Sequence, residues 1–587
     1  MKQFIRKNFI HCFVVEEQMD SKDSGDSISQ KSILSLGGKP KIAYFSMEIG
    51  IDEHIPSYSG GLGILAGDTI KSCADLNVPL VGVTLLSEKG YFYQKIDENG
   101  NQIELPIEFS VSNFLQEMPS KTTVQIENRE VKVRAWLYQY RGIGGYIIPV
   151  FFLDTNIDGN NDWDRSLTKY LYGGDNKYRL GQEIVLGIGG VRILSALGYD
   201  TIDRFHMNEG HAALGTLELY NQFNDVEKVR KQCVFTTHTP VAAGHDQFNL
   251  DMAKSMIGNI LPDFLLEDIT YENKLNMTRL ALFFSHYING VAKKHGEVSR
   301  IMFPGYSIDS ITNGVHTQTW VCESFQELFD KCLPGWRSDP YILRSAQSMD
   351  KDEVWNAHMN AKKELINFVN TRYNVGMNYD DFTIGFARRQ TAYKRPGLLI
   401  SEPKKLADIA KNVGPLQIIY SGKAHPKDTF GKEEIKHIYN VMKNISDGVK
   451  IVFIHNYDMT IAKMMIAGVD IWLNTPRRPK EASGTSGMKA AHNGVPQFGT
   501  LDGWWLEGCI ENITGWTIGP EKTEEKESDD EIDKYDLYEK LENWIVPKFY
   551  NDRENWIRTM RSCIAINASF FNTNRMIQQY VLNAYFM

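Results

Sequence analysis

Residues 481–505 read EASGTSGMKAAHNGVPQFGTLDGWW and predict a binding loop that leads into a helix. The first half of this stretch is rich in small residues, so backbone N–H groups are left uncovered before a helix that begins near Met488. Free amides and the helix dipole both favour an anion at such a junction. Lys489 lies in the first turn, where a cation does not stabilise the helix. Lys489 is therefore either an ordinary surface lysine or an amine that pairs with phosphate or forms a Schiff base.

This stretch resembles the pyridoxal-phosphate-binding segment of the glycogen, starch and maltodextrin phosphorylases, whose pattern is E-A-S-G-T-x-x-M-K. The likeness extends through Gly-Thr-Leu-Asp-Gly at 499–503, and the Asp-Gly-Trp-Trp at 502–505 is similar to the short microbial members. The resemblance implies the following roles: Lys489 carries pyridoxal phosphate, Thr485 and Ser486 contact that cofactor, Glu481 is catalytic, and Glu481, Ser483 and Gly484 contact the sugar.

The spacing Glu481-x7-Lys489 separates this chain from a neighbouring family. Retaining sugar-nucleotide transferases of the same fold usually carry Glu-x7-Glu, and the second Glu holds the nucleotide ribose. A nucleotide-sugar glucan synthase is therefore an alternative that Lys489 disfavours. A catalytically silent glucan-binding homologue is a second alternative, and the intact lysine and basic cluster disfavour it. An aminotransferase would share only the cofactor attachment.

The composition bounds the class of protein. A chain of 587 residues, 42% hydrophobic and 23% charged, is too long for one core and predicts two large domains. A net charge of −9 argues against a general nucleic-acid binder. The seven cysteines form no CxxC pair, which indicates reduced cytoplasmic thiols and no metal site. No apolar run approaches the length of about 20 residues that spans a membrane.

Strands that alternate with helices predict parallel sheets, and the fold class we expect is α/β and GT-B-like, with two Rossmann-like domains facing a central cleft. Residues 1–38 are expected to be a disordered tail or a targeting peptide. Residues 39–315 are predicted to form a Rossmann-like glucan and phosphate domain with a β insertion. Residues 316–587 are predicted to form a Rossmann-like pyridoxal-phosphate domain. Within it, residues 521–533 are expected to be a surface insertion, and helices from about Tyr538 to cross back over the first domain.

A glycine-rich turn, SGGLGILAGD at 59–68, is predicted to open a helix after the first strand. Such a loop is weak evidence alone, but in context it resembles the phosphorylase G-G-L-G loop. That resemblance implies that the amides of Gly60, Gly61 and Leu62 face the substrate phosphate and that Gly61 also contacts the cofactor. The histidines near residues 206–245 fit no metal-binding spacing, so no metal is expected. The resemblance places His238 beside the glucosyl ring, in a catalytic and sugar-binding role, and Asn313 against the sugar.

The segment ARRQTAYKRP at 387–396 carries four cations within eight residues at the end of a predicted strand. Such a cluster suits one or two bound phosphates, although a solvated basic face is the alternative. It resembles the phosphorylase K-R-x-x-x-Y-K-R motif. The resemblance assigns catalytic Arg389 to the substrate phosphate, Arg388 and catalytic Lys394 to the cofactor phosphate, Tyr393 to the substrate, and Tyr457 to the pyridoxal ring.

With the resemblance, these residues predict an α-1,4-glucan phosphorylase that acts on an α-1,4-glucan and inorganic phosphate and is located in the cytoplasm. A homodimer is one option for its assembly. Two phosphates held close together repel each other, so a shared proton and a raised pKa are expected. Inorganic phosphate then protonates the departing glycosidic oxygen and attacks the glucosyl unit on the same face, which gives α-glucose 1-phosphate with retention. No pair of carboxylates about 5 Å apart, as a retaining glycosidase requires, is forced by the sequence.

Overall fold

We describe a computed structural model of the chain that covers residues 39–241, 244–445, 448–520 and 528–586. The predicted tail at 1–38 lies outside the described residues, and so does the 521–527 part of the predicted acidic insertion. The described chain contains two large sheets that are mainly parallel, one in each half. The α/β, GT-B-like fold class is therefore confirmed.

The strands of the first half build the larger sheet. Among the described residues this sheet has nine strands in the order β14-β13-β9-β8-β1-β2-β7-β6-β5, and its pairs are parallel from β14 to β7 and antiparallel from β7 to β5. The strands of this half are β1 (Ile42–Ser46), β2 (Leu80–Leu85), β3 (Tyr93–Ile96), β4 (Gln102–Leu105), β5 (Gln116–Ile126), β6 (Arg129–Arg141), β7 (Ile147–Asp154), β8 (Arg204–Asn208), β9 (Cys233–Thr236), β10 (Gln247–Asn249), β11 (Thr270–Tyr271), β12 (Lys274–Asn276), β13 (Tyr287–Gly290) and β14 (Asp309–Ser310).

Burial follows the two kinds of pairing. Every residue of β1 and β2 is buried, as expected for parallel strands that helices cover on both faces. In β6, buried Val131, Val133 and Ala135 alternate with more exposed residues, which is typical of an antiparallel strand with one face in water. The β5–β7 hairpins therefore form one edge of the sheet and leave the parallel strands to build the cleft.

The second half contains a six-stranded parallel sheet in the part of the chain described here, in the order β17-β16-β15-β18-β19-β20. In chain order this is 3-2-1-4-5-6, the order of a Rossmann sheet, whose ligands bind beyond the carboxyl ends of the strands where the order reverses. That point lies between β15 and β18. The strands are β15 (Phe382–Ala387), β16 (Leu416–Ser421), β17 (Val449–Ile454), β18 (Ile471–Asn474), β19 (Gln497–Thr500) and β20 (Gly515–Ile518).

Helices cover both sheets. The helix Asn176–Ile184 continues through a π-helical turn, Val185–Gly189, into the helix Gly190–Ala196. The helices of the first half are α1 (Gly61–Asp75), α2 (Asp162–Ser166), α3 (Asn176–Ile184), α4 (Gly190–Ala196), α5 (Leu214–Phe223), α6 (Val226–Gln232), α7 (Leu250–Ile257), α8 (Leu266–Ile269), α9 (Met277–Phe283) and α10 (Lys293–Met302). Those of the second half are α11 (Thr317–Trp320), α12 (Glu323–Cys332), α13 (Lys351–Tyr373), α14 (Pro403–Asn412), α15 (Thr429–Asn444), α16 (Met459–Gly468), α17 (Ser486–Ala491), α18 (Trp505–Gly508), α19 (Asp530–Lys540), α20 (Val546–Asn551), α21 (Arg553–Ser562) and α22 (Thr573–Tyr580).

The C-terminal helices divide between the two sheets. Trp556 of α21 stacks on Trp516 of β20 with 5.7 Å between ring centroids, so α21 packs on the second sheet. The last helix, α22, reaches the first sheet, where the Tyr580 hydroxyl accepts a hydrogen bond from Asn289 Nδ2 at 3.0 Å. The segment in contact with the first sheet thus begins near Thr573, further along the chain than Tyr538. Tyr538 itself donates to the Leu399 carbonyl at 2.7 Å, within the second half.

The acidic segment 521–533, whose end forms the first turn of α19, is only partly a surface feature in its described part. Asp533 is fully buried and pairs with Arg478 Nη2 at 2.7 Å and with Arg395 Nη2 at 2.8 Å. The expectation of a surface insertion is therefore wrong for Asp533, because two buried guanidinium groups need its charge. Arg395 belongs to the basic motif at 387–396, so this ion-pair network fixes one end of that motif.

Candidate functional site

The two halves meet at the carboxyl ends of their strands. The Gln94 side chain, which lies in β3, donates to the Gly422 carbonyl at 2.9 Å and accepts from the Asn456 amide at 2.9 Å. Asp68 of α1 accepts a hydrogen bond from Trp320 Nε1 at 2.7 Å. These contacts join the first half to the loops that follow β16 and β17 and to α11.

Glu481 is the centre of the charged cluster on the second half. Its Oε2 accepts from Arg388 Nη2 at 2.7 Å and forms an ion pair with Lys394 Nζ. Burial alone would raise the pKa of Glu481, but Arg388 and Lys394 lower it to about 2. Glu481 is therefore ionised at neutral pH. Arg388 and Lys394, which the resemblance assigns to the cofactor phosphate, thus also form ion pairs with Glu481. The three side chains together carry one net positive charge.

Asp502 holds the backbone of Glu481 in place through a hydrogen bond. Asp502 Oδ2 accepts the Glu481 amide at 2.8 Å, and Oδ1 accepts the Gly503 amide at 2.9 Å. Burial, with a further contribution from the charge of Glu481, raises the pKa of Asp502 to about 7. Asp502 had no predicted role beyond its place in a motif. Its position between Glu481 and the end of β19 is a contact that spacing along the chain does not indicate.

Arg389 is the exposed cation of the motif. Among the described residues, no carboxylate lies within ion-pair distance of Arg389. Its Nη2 lies 3.5 Å from the point where a Cβ on Gly60 would stand, and Glu48 and Tyr91 of the first half influence its charge. Arg389 therefore extends across the cleft and ends at the N-terminus of α1.

The first turn of α1 completes an anion-binding arrangement. In the described chain, the amides of Gly61, Leu62 and Gly63 have no hydrogen-bond acceptor, as is usual at a helix N-terminus. A Cβ on Gly61 would meet no atom within 4 Å, so the space in front of it is open. Free amides, a helix dipole and an unpaired guanidinium converge on this space, and together they favour a phosphate.

The Gly60 amide has a partner of its own, Glu48, which lies two residues after β1. Glu48 Oε2 accepts from the amides of Ser59 and Gly60, the latter at 3.2 Å, and Oε1 accepts from the Tyr172 hydroxyl at 2.9 Å. Gly60 was predicted to face the substrate phosphate. In this structure its amide donates to a carboxylate, and Gly61–Gly63 supply the free amides. The position of Glu48 at the carboxyl end of a buried strand was a signal that the sequence analysis did not use.

Lys489 lies in α17 and is buried, with only 8% of its surface exposed. The alternative of a solvated surface lysine is therefore wrong. Its Nζ lies 3.7 Å from the centre of the Trp320 ring. Burial lowers the pKa of Lys489 to about 8, against a raising effect of Asp68. A buried amine with a lowered pKa is a better nucleophile toward an aldehyde than a solvated lysine. Next to it, Ser486 Oγ accepts from Trp472 Nε1 at 3.1 Å, and the Thr485 carbonyl accepts the Lys489 amide at 3.1 Å.

The predicted sugar-binding residues present neutral polar atoms. His238 Nε2 bonds to Asn208 Oδ1 at 2.6 Å, the His238 amide donates to Glu209 Oε2 at 2.7 Å, and burial lowers the pKa of His238 to about 3. His238 is therefore neutral at physiological pH. Asn313 Oδ1 and Ser483 Oγ are buried atoms without a hydrogen-bond partner in the described residues. Buried polar atoms need partners, and the hydroxyls of a sugar would supply them.

Three further predicted residues surround the charged cluster. The ring of Tyr393 lies under Lys394 Nζ at 4.4 Å. Burial raises the pKa of Tyr457, so its hydroxyl stays protonated. Gly484 has a φ of +79°, and a Cβ there would also lie 3.4 Å from Glu481 Cγ, so this turn requires glycine. Asp458 takes a local role as the N-cap of α16, since it accepts the Ile461 amide at 2.9 Å.

The residues present fit pyridoxal phosphate. Pyridoxal phosphate requires an amine that reacts with its aldehyde, and cations or backbone amides that bind its phosphate. Lys489 is a buried amine, Arg388 and Lys394 are buried cations, and the space beside Gly61 is open. Within the part of the chain that the structure describes, no cluster of His, Cys, Asp and Glu is arranged to hold a metal ion. Nor does any described helix combine the length and apolar content that a membrane span requires.

Comparisons with known proteins agree with this geometry. Residues 264–515 match the family model of the carbohydrate phosphorylases. The chain is 38% identical to a maltodextrin phosphorylase of Thermococcus litoralis, over 92% of this chain and 70% of that protein. It is 33% identical to a glycogen phosphorylase of Aquifex aeolicus, over 93% of this chain and 86% of that protein, and 33% identical to a glycogen phosphorylase of Mycobacterium tuberculosis, over 93% and 70%. The match covers both sheets and both sides of the cleft, and the chain therefore belongs to the carbohydrate phosphorylase family.

Proposed function

We propose that the protein is an α-1,4-glucan phosphorylase, which uses inorganic phosphate to release α-D-glucose 1-phosphate from the ends of glycogen, starch or maltodextrin with retention. One observation carries the proposal: Arg389, which has no ion-pair partner among the described residues, faces the free amides of α1 across the cleft. A site of this kind suits a small dianion as substrate. The printed names of the relatives, maltodextrin and glycogen phosphorylase, supply the glucan class.

The cofactor in this proposal is pyridoxal phosphate bound to Lys489. Arg388 and Lys394 would hold its phosphate, and Tyr457, Thr485 and Ser486 would border its ring. When bound, the cofactor supplies a phosphate group that supports acid–base chemistry near neutral pH. Glu481 already neutralises part of the charge of Arg388 and Lys394, so it offsets part of their mutual repulsion before the cofactor phosphate arrives.

The chain's own groups then divide the work on the substrates. Arg389 and the amides of Gly61 and Leu62 hold inorganic phosphate below the glycosidic bond. Neutral His238, Asn313 and Ser483 bind sugar hydroxyls, and ionised Glu481 stabilises the positive charge that develops on the glucosyl unit. The bound inorganic phosphate protonates the departing glycosidic oxygen and then attacks the same face of the sugar.

The two halves of the chain would bind different ligands. Residues 39–315 would bind glucan and inorganic phosphate through α1 and the loops after β8 and β9. Residues 316–587 would carry the cofactor and the cations that follow β15. Both tasks meet at the carboxyl ends of the strands, which is where open α/β sheets bind their ligands.

The experiment is a product assay of the purified protein with maltodextrin and inorganic phosphate. We expect α-glucose 1-phosphate, at a rate that depends on phosphate, and no product from the Lys489→Ala variant. The same protein is offered ADP-glucose and UDP-glucose with maltodextrin as acceptor. Glucosyl transfer from a nucleotide sugar without phosphorolysis would contradict the proposal and favour the synthase alternative.

A further inference from the structure

Helix α1 carries two charged side chains that the proposed reaction does not use. Asp68 and Lys71 are one turn apart, and 1% and 5% of their surfaces are exposed. Asp68 Oδ2 accepts from Trp320 Nε1 at 2.7 Å and from the His316 amide at 3.1 Å. Asp68 Oδ1 is buried and has no hydrogen-bond donor among the described residues. A buried carboxylate with a free oxygen is costly unless a cation is nearby.

The Trp320 side chain connects Asp68 to Lys489. The Lys489 amine rests on the face of the indole ring, 3.7 Å from its centre, and the edge of the same ring donates to Asp68. Lys71 reaches the residue next to Trp320, since its Nζ donates to Thr319 Oγ1 at 3.3 Å. Two buried lysines from different halves of the chain therefore lie within the electrostatic influence of one buried carboxylate.

Other titratable groups border this cluster: Lys463, Asp52 and Glu53 act on Lys71, and Lys463 pairs with Glu53 at 3.6 Å. His316 Nε2 pairs with Asp75 Oδ2 at 2.8 Å. His492, one turn after Lys489, bonds to the Met488 carbonyl at 2.8 Å, and burial lowers its pKa to about 4, so it is neutral at physiological pH. Asp68 and Lys71 are thus the charged groups that act on Lys489, and their effects are opposite: Asp68 raises the pKa of Lys489 and Lys71 lowers it.

We propose that Asp68 and Lys71 are positioning residues that set, from opposite directions, the protonation of the Lys489 nitrogen. Burial and Lys71 favour the neutral amine, which is the form that reacts with an aldehyde. Asp68 favours the positive charge on the same nitrogen once the cofactor is attached. The inference rests on the proposed function in one respect, namely that the cofactor is carried by Lys489.

The experiment uses the holoprotein and two variants: Asp68→Asn, which removes a negative charge, and Lys71→Met, which removes a positive charge. The near-ultraviolet absorption band of the bound cofactor is followed from about pH 5 to about pH 10, since this band reports protonation at its attachment point. We expect the midpoint of the spectral change to fall by about one pH unit or more in Asp68→Asn and to rise by a similar amount in Lys71→Met. If the wild-type spectrum is constant over this range, at least one variant should bring the transition into it.

The matched control is Asp75→Asn, which makes the same change on the same helix but next to His316, and its midpoint should equal that of the wild type. Unchanged midpoints in both variants, or shifts in the same direction, would overturn the inference. Should Asp68→Asn not fold, as judged by circular dichroism, Lys71→Met decides alone, and a midpoint that does not rise rejects the proposal.

Mass analysis after borohydride reduction separates this inference from the proposed function. A pyridoxyl adduct on wild-type Lys489 with no spectral shift in the variants rejects only the roles of Asp68 and Lys71. A wild-type protein without an adduct on Lys489 rejects the cofactor assignment and this inference together.

Discussion

Arg388 Nη2 donates to Glu481 Oε2 at 2.7 Å, which joins the end of β15 to the loop after β18. Lys394 contacts the same oxygen atom, so a single carboxylate oxygen organises two of the cations expected to hold a phosphate. The pKa of Glu481 is low because of these two cations. Glu481 therefore acts as a fixed negative charge and does not exchange protons near neutral pH.

Replacing Glu481 by Gln should lower kcat about 100-fold or more, because the negative charge that we propose stabilises the glucosyl unit is lost. The variant should also lose about 3 to 5 kcal/mol of stability, since Arg388 and Lys394 are left without their partner. Glu481 has a pKa of about 2 in the fold, below the unfolded value of about 4.3. Its contribution is therefore present above pH ~4.3 and declines below it, and the difference in Tm between wild type and variant should shrink from about pH 5 to about pH 3. A constant difference across that range would contradict the assignment.

Replacing Arg389 by Ala should raise the KM for phosphate about 100-fold or more, because a bidentate contact to phosphate disappears. Stability should change by no more than about 0.5 kcal/mol, since no ion pair of Arg389 is lost among the described residues. The control for removing an arginine is Arg165→Ala on α2 of the first half, which should leave the phosphate kinetics unchanged. Near-normal phosphate kinetics in Arg389→Ala would refute the role.

Gly61→Ala tests the open space at the N-terminus of α1. The added methyl group meets no protein atom within 4 Å, so the protein should fold normally and be as stable as the wild type or slightly more so. The methyl group would, however, enter the space assigned to phosphate, and KM for phosphate should rise about tenfold or more. Gly144→Ala, whose Cβ would have 3.9 Å to its nearest neighbour, is the control for the substitution itself. Equal phosphate KM values in the two variants would place the anion elsewhere.

Asp502 gives a prediction of opposite sign to Glu481. Its pKa of about 7 in the fold lies above the unfolded value of about 3.9. Wild-type stability relative to Asp502→Asn should therefore be greatest below pH ~4, decline as pH rises to about 7 and stay constant above it. Thermal unfolding of both proteins between about pH 4 and about pH 9 measures this. A relative stability that increases with pH would show that Asp502 is ionised in the fold.

The sequence predicted the elements of the fold well because their signals are local. Continuous apolar runs marked buried parallel strands such as β2, and the glycine-rich turn at 59–68 marked the start of α1. The basic motif at 387–396 was correctly expected at the end of a strand, β15. These features depend on hydrophobic pattern and turn chemistry within a few residues.

Contacts between distant residues left no such signal. Tyr172 and Glu48 are 124 positions apart, and Arg388 and Glu481 are 93 apart. Nothing in the spacing of Trp320 indicates that its ring lies against Lys489. The path of the C-terminal helices was equally hard to predict, because Trp556 and Tyr580 are both large buried aromatic residues. Only tertiary packing determines that Trp556 contacts the second sheet and Tyr580 the first.

The central claim is that the cofactor on Lys489 acts through its phosphate, held by Arg388 and Lys394, and that its ring serves as an anchor. The most direct measurement is phosphorolysis of maltodextrin by holoprotein reduced with borohydride, which fixes the cofactor to Lys489 and leaves its phosphate in place. The account predicts that the reduced protein still releases glucose 1-phosphate, and that protein reconstituted with pyridoxal lacking the phosphate does not. Loss of activity on reduction, with the adduct on Lys489 and the fold both unchanged, would contradict it.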